Sequence, residues 1–452
     1  MFKLSTDEEL TSVLMMQLLD THRKEVNETY EPLYKAYISE HKILDEPAKP
    51  DYKPDNRIIV NFPKYIVDTM NGFFIGNPIK VTAEDENISE YVEYLDQYND
   101  QDDNNAELSK IMSIYGKGYE MYFTDEDSEQ CITYLTPIDA FMVFDDTVQE
   151  RPLYFCRRYK DRHDNEYGCI YDSVNERHFK TTGGFKWTDE WQPHYYDGVP
   201  ATEYIENAEK QSIFAPIMSI VNAYNKAVSE KANDVDYFAD AYMKVLGPEL
   251  ETEDIQHIRS NRVINFAGED AQKIIIDFMS KPESDTTQEN LLNRLERLIF
   301  QISMVANISD ENFGTSSGIA LKYKLQAMIN QFKNKERKFT SGMNRRYKLL
   351  FSHPASKVPA DAWVQLHYHF TPNIPANILE ETQIAGNLEG IVSKETQLKV
   401  LSVVDNVQTE IEKIEEENAA AEQSIVEEMM FAAQQQAAAG ETEQPEATEG
   451  IE

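Results

Sequence analysis

The chain has 452 residues, 41% of them apolar, and a formal net charge of −37. That length predicts roughly two or three substructures rather than one core. The charge excludes a simple polyanion binder, since duplex DNA is normally held by lysine and arginine.

MFKLSTDEEL at the start carries no basic segment followed by an apolar core, so no secretory signal is expected. No apolar run reaches the length of a membrane span. Cys131, Cys156 and Cys169 never form a C-x-x-C, which favours neither a disulfide framework nor a zinc site and reads as a chain folded in cytosol. Thr6 and Glu9 have capping-box spacing, and Leu10, Val13, Leu14 and Leu18 follow at helical intervals. A second helical stretch carries Leu33, Tyr34, Tyr37 and Ile38 and ends in the proline-rich DEPAKPDYKPDN, an extended connector. Asn61 can then cap a helix that tolerates Pro63 in its first turn, with Ile66, Val67, Met70, Phe73 and Phe74 on one face and Gly76 as its stop. From Glu84 to Glu107 there are ten acidic residues and no lysine or arginine, which reads as a solvated, self-repelling surface.

From about 118 to 200 the runs YEMYF, CITYL, FMVFDD, PLYFCRRY and CIYDSV alternate with turn residues, predicting antiparallel sheet. A helix of more than thirty residues is expected from Ser212, stopped by Gly247-Pro248. NRVINF and KIIIDFM then read as strands of a small inserted piece. A second long helix opens at a Thr286/Glu289 capping box and carries Leu291, Leu295, Leu298, Ile299, Ile302 and Val305 as one stripe. After a Gly/Ser-bearing loop comes a basic helix, about 317 to 351, with nine Lys/Arg against Glu336 alone between Lys322 and Lys348. AWVQLHYHF reads as a strand, followed by helices near 377–389, 393–404 and from about 405. Residues 405 to 452 hold fourteen acids and one lysine, a local charge of −13, and their last twenty or so are low-complexity and expected to be disordered.

The loop NISDENFGTSSGIALKYKLQ invites comparison with a phosphate cradle. Such a cradle needs a preceding strand and G-x-x-x-x-G-K-[ST] spacing; here a helix precedes, the glycines stand four apart and no Lys-Ser/Thr follows Gly318. A helix–loop–helix connector with Ser316 or Ser317 as N-cap is the better reading. His367 and His369 offer only half a tetrahedral metal site and read as strand residues packed near Trp363 and Tyr368. Gly116 and Gly118 around Lys117 read as a turn into a strand. Neither an enzyme nor a cofactor site is expected. The basic helix, with Lys322, Lys324, Lys333, Lys335, Arg337 and Lys338, can face DNA phosphates or acidic surfaces of another copy of the chain.

NFPKYIVDTMNGFFIGNPIKV, PIMSIVNAYNKAVSEKANDV and LLNRLERLIFQISMVANISDENFGTSSGIALKYKLQAM, in that order, resemble the portal (head–tail connector) proteins of siphophage-type tailed phages infecting Gram-positive bacteria, from about residue 10 to 405. The resemblance implies an α+β, mostly helical, portal-type subunit with a β-rich wing, a two-helix stem, a small α/β clip and a helical crown. It implies a ring of about twelve subunits at one capsid vertex, through which a terminase motor packages double-stranded DNA without sequence specificity and through which the DNA later leaves. Implied partners are the chain itself, the terminase large subunit, the major capsid and scaffolding proteins and a head-completion adaptor, with no membrane; implied locations are the virion and, during assembly, the host cytoplasm. Carried onto this sequence, the wing is 1–211, the stem helices 212–246 and 286–306, the clip 247–285, the wing return 319–375, the crown 376–430 and the acidic tail 431–452. The loop projecting into the channel is Asn307, Ile308, Ser309, Asp310, Glu311, Asn312, Phe313, Gly314, Thr315, Ser316, Ser317 and Gly318. With two acids and no base before Lys322, it is expected to touch DNA sterically through Asn312, Phe313 and Thr315. The short crown and its acidic tail do not support carrying over a head-filling sensor. Without the resemblance, an acidic capsid-associated assembly or adaptor protein lacking a DNA channel remains the alternative.

Overall fold

The computed structural model describes residues 2–6, 8–50, 53–239, 243–246, 275–278, 285–308, 318–374, 378–401, 403–404 and 407–419. About half of these are helical and the rest includes several sheets, so the chain is mixed α and β rather than mostly helical. It divides into two compact units, residues 1–315 with 321–373, and 316–320 with 374–452.

In the first unit, β1 (Phe2–Leu4) precedes the first helix, α1 (Ser12–Glu25). The Thr6/Glu9 capping box does not form: the N-cap is Thr11, whose hydroxyl accepts from the Leu14 amide, and Val13 faces solvent. The reason is long-range, because Phe2 and Leu4 are drawn into a parallel pairing with residues 143–145. A π-helical turn (Val26–Tyr30) joins α1 to α2 (Glu31–Tyr37). The helix α3 (Phe62–Ile75) starts as expected, with Asn61 Oδ1 accepting from the Lys64 amide and Pro63 in the first turn. Its five expected face residues are all buried. The acidic stretch is not merely solvated surface. It folds into α4 (Glu86–Tyr98) and α5 (Gln101–Tyr115), which bury Tyr91, Leu95, Leu108 and Met112. Gly116 closes α5 at φ +83°, a conformation open to glycine.

The β-rich stretch forms two sheets. One orders β1, β5 (Ala140–Asp145), β6 (Pro152–Lys160), β7 (Glu166–Tyr171), β8 (Asn175–Lys180) and β10 (Gln192–Pro193), with β9 (Lys186–Trp187) also on β8. The other orders β11 (Ala201–Ile205), β3 (Lys117–Thr124) and β4 (Gln130–Leu135). Alternation along β5 and β6 sends Phe141, Val143 and Cys156 to a core shared with α1, and Met142, Phe144 and Phe155 to a core shared with Tyr119 and Ala201. All three cysteines are unpaired.

The expected thirty-residue helix is shorter. Pro216 lies in a 3-10 turn (Ala215–Ile217), α6 runs from Met218 to Ala239, and β12 (Met243–Leu246) pairs antiparallel with β13 (Ile275–Phe278). NRVINF lies outside the described residues. Helix α7 (Asp285–Ser303) includes Thr286 in its first turn, and Glu289 binds Lys231 of α6 instead of closing a capping box. α6 and α7 run antiparallel: Gln288 donates to Asp234, while Tyr224 and Phe300 both pack edge-on against Phe62. The α7 stripe is rotated from the expected one. Leu292 and Ile299 are buried, whereas Leu291 and Ile302 are 50% and 41% exposed.

After a 3-10 turn at Lys42–Asp45, the last part of the connector between α2 and α3, residues 56–60, is extended and strapped along α6. The amides of Asn56, Ile58 and Val60 donate to Asn233 Oδ1, Ser229 Oγ and Asn225 Oδ1 at 2.7, 2.9 and 2.9 Å. Spacings of two on the strap and four on the helix both return to one face, which makes the ladder possible.

Helix α8 (Gly318–Ser352) lies against the three-stranded sheet, approaching so closely that a Cβ at Gly342 would meet the Tyr204 ring. AWVQLHYHF splits into a 3-10 turn (Ala362–Gln365) and β14 (His367–His369), which pairs with β2 (Lys80–Thr82). In the second unit α9 (Ile378–Asn387) and α10 (Lys394–Leu398) are shorter than expected; Ser393 caps α10, and Gln397 Nε2 donates to the Ala385 carbonyl. Residues 407–419 are helical, and the low-complexity tail lies outside the described residues.

Candidate functional site

The candidate loop joins α7 to α8, so helices stand on both sides of it. Residues 309–317 lie outside the described residues, including both serines considered as caps. Its entry is fixed by neighbours. Met304 turns left-handed at φ +58°, and the Ser303 carbonyl accepts from Gln331 Nε2 at 2.9 Å. The Ala306 amide faces Met328 Sδ at 3.2 Å, and the Ile308 amide donates to the Tyr65 hydroxyl of α3 at 3.0 Å. Asn307 Nδ2 donates to Glu296 Oε1 at 3.4 Å, and Ile308 is exposed. Beside this entry is a cleft of about 700 Å³ bordered by Glu296, Arg297, Phe300, Met304, Asn307 and Lys324.

The basic residues of α8 separate into two sets. Lys324, Lys333 and Arg337 are exposed and Lys338 is half-buried; Lys333 pairs with Glu336 at 2.8 Å, and Arg337 donates to the Lys333 carbonyl and to Asn334. Gly318 opens the helix and Lys322 lies in its second turn. Lys335 departs from the expected outward stripe. It is 1% exposed, and its Nζ donates to Ser109 O at 3.1 Å, Ser113 Oγ at 2.6 Å and Glu206 Oε2 at 2.8 Å. It therefore faces α5 and the end of β11, not DNA or another subunit. Burial lowers its ammonium from the ordinary lysine value, with Glu206 pulling it back up.

Arg346 is likewise enclosed, gripping Glu120 on β3 through Nε and Nη2 at 2.8 and 2.7 Å and reaching Asn105 Oδ1 at 2.7 Å. Tyr122 and Tyr204 donate to the same carboxylate at 2.8 and 3.0 Å. Burial opposes the guanidinium's charge, but Glu120 and the tyrosines more than restore it. Arg345 donates to the carbonyls of Ala201 and Val199, covering the β11 edge. A sequence signal for the inward pair existed: Met328, Phe332, Lys335, Phe339, Met343, Arg346 and Leu350 recur at intervals of three and four, so both cations occupy core positions of the helix.

Among the described residues no group of three or more His, Cys, Asp or Glu could hold a metal ion. His367 and His369 are exposed strand residues, the latter 3.3 Å from Thr82 Oγ1. Lys117 opens β3, as its sequence context predicted. No described helix is long and apolar enough to cross a membrane.

Comparison with known proteins gives a consistent relationship. The family described as phage portal protein, SPP1 Gp6-like, matches residues 17–424. The portal protein of Bacillus phage SPP1 is 22% identical over 445 residues, covering 90% of this chain and 86% of that protein. The portal protein of Clostridium phage phiCD119 is 24% identical over 242 residues, and this match spans about half of each chain, 49% in both cases.

Proposed function

The chain belongs to the SPP1 Gp6-like family of phage portal proteins, and from that premise we propose that copies of it close into a ring at one capsid vertex. Double-stranded DNA is packaged through the ring by a terminase ATPase and leaves through it at ejection. The subunit is structural, and the energy for DNA movement comes from the partner. The ring also docks the head-completion adaptor and contacts capsid and scaffolding proteins, in the host cytoplasm during assembly and in the virion afterwards. In this reading α6 and α7 are the stem, the insertion carrying β12 and β13 is the clip, and 307–318 is the loop that meets DNA.

One observation carries the reading beyond membership. The antiparallel α6–α7 pair leaves Val235, Leu291 and Ile302 in solvent at 57%, 50% and 41% exposure, and Met304 in the turn that follows is 49% exposed. Apolar side chains repeated along one helix pair mark a surface that another protein covers, and identical copies around an axis supply one. A net charge of −37 per copy suits a conduit, since counterion-releasing phosphate contacts would hold DNA rather than let it pass. Axial electron-microscopy images of the purified full chain test the proposal: closed rings with a central hole are expected, and a chain that stays monomeric at high concentration overturns it. Shortening residues 309–316 should leave rings intact and impair packaging; failure to form rings would make the loop a structural connector.

A further inference from the structure

We propose that an acidic groove at the N-terminal end of α5 receives Arg337 and Lys338 of a neighbouring copy, so that subunits meet head to tail through opposite ends of this one helix. The inference rests on the ring reading above and supplies it with a contact.

The groove, about 760 Å³, runs between β2, α4 and the start of α5. Glu93, Asp96, Asp100, Asp102 and Asp103 border it, and among the described residues Lys80 is its one lining cation. None of the five carboxylates has an ion-pair partner among the described residues; Asp96 receives the Tyr347 hydroxyl at 3.4 Å and Glu93 the Gln97 amide at 3.1 Å. The helix dipole accounts for acids in the first turn of α5, Asp102 and Asp103, but not for Glu93 and Asp96 on α4. A second observation concerns Gln101, which lines the groove and is 1% exposed. Its Nε2 donates to Asn105 and Glu120, while its Oε1 accepts from no group among the described residues. That oxygen is closed to solvent, so the acceptors the groove offers a neighbour are its carboxylates. The carboxylates are too dispersed for one metal ion. An elongated, multiply donating cation such as a guanidinium or an alkylammonium fits better.

The complementary surface lies at the other end of α5, a helix of 15 residues and hence about 22 Å long. There Ser113 meets Glu206 and Lys335, and a cleft of about 900 Å³ opens between the end of β11 and α8. Its acids are mostly neutralised within the chain: Glu203 by Lys210 and Lys117, Glu206 by Lys335, and Glu150 by Lys3. Arg337, Lys338 and Arg345 line the same cleft and have no carboxylate partner among the described residues. One end of α5 therefore presents unpaired acids and the other unpaired bases. A closed ring uses heterologous contacts, two different and complementary patches on every subunit, and these ends are such a pair.

Charge reversal on the full chain tests this, read by sedimentation velocity and electron microscopy. Wild-type chain that forms no rings removes the ring reading itself, and the inference with it. Given wild-type rings, D102K/D103K and R337E/K338E should each raise the protein concentration needed for half-assembly about tenfold. One chain carrying all four changes should restore assembly. Lysines in the first turn of α5 oppose its dipole, so D102N/D103N serves as the milder variant, with weaker assembly expected and circular dichroism unchanged. Rings unaffected by both reversals, or folded reversal variants that the combined chain does not rescue, overturn the contact and leave the ring reading standing.

Discussion

The sheet-bearing part of the chain and the α6–α7 pair solve opposite problems. Around β3 and β11 the chain buries charge: Arg346 sits on Glu120 and Lys335 on Glu206, each cation about 1% exposed or less. Along α6 and α7 it exposes oil, with Leu291 and Ile302 in water while Asn225, Ser229 and Asn233 are turned inward to hold the strap. Charges that find their partners within the chain let the first region stand alone. Apolar groups without such cover leave the second awaiting a neighbour.

Breaking the buried pair should have the largest effect. Arg346→Met leaves Glu120 charged and enclosed and should cost about 3–5 kcal/mol in chemical denaturation. Adding Glu120→Leu should return part of that, because an apolar pair needs no compensating charge. Loss of the strap is smaller: Asn225→Ala leaves the half-buried Val60 amide without its acceptor and should cost about 1–2 kcal/mol in thermal unfolding.

Asp96 sharpens the contrast through pH. Burial raises its carboxyl to about 6, against the pull of Arg346. Between pH 4 and 6 the folded chain keeps a proton that the unfolded chain releases, so this residue's contribution to stability falls as pH rises through that window. Asp96→Asn should therefore be more stable than wild type by about 1–2 kcal/mol at pH 7.5, with the difference shrinking towards pH 4. Leu291→Ser with Ile302→Ser is the smallest in stability, within about 0.5 kcal/mol, yet it should sharply reduce ring yield. A stability loss well above that, without loss of rings, would show that these residues are already covered within the subunit.

Local chemistry was legible and long-range chemistry was not. Asn61, Pro63 and Gly76 announced the limits of α3 because capping and stopping act within four residues. Thr6 and Glu9 misled because the competing partner of Phe2 and Leu4 lies some 140 residues away. The basic helix was evident from composition, but composition does not tell which lysines turn inward. Helical phase does, and it places Lys335 and Arg346 among the core positions. The loop's unsuitability as a phosphate cradle was readable from its flanking helices. Its proposed encounter with DNA rested on resemblance, and most of that loop lies outside the described residues.

The strap on α6 behaves as a vernier. Alternate residues of an extended chain advance about 6.6 Å, whereas every fourth residue of a helix advances about 6.0 Å. The two scales drift by about 0.6 Å per rung, so a three-rung ladder centred on its middle rung has outer rungs only about 0.6 Å out of line. The fastening is thus fixed in phase. Sliding the strap by one residue would point every donating amide away from the helix, and that makes the junction between α2 and α3 a ruler for where α3, and with it Tyr65 at the loop entry, must begin.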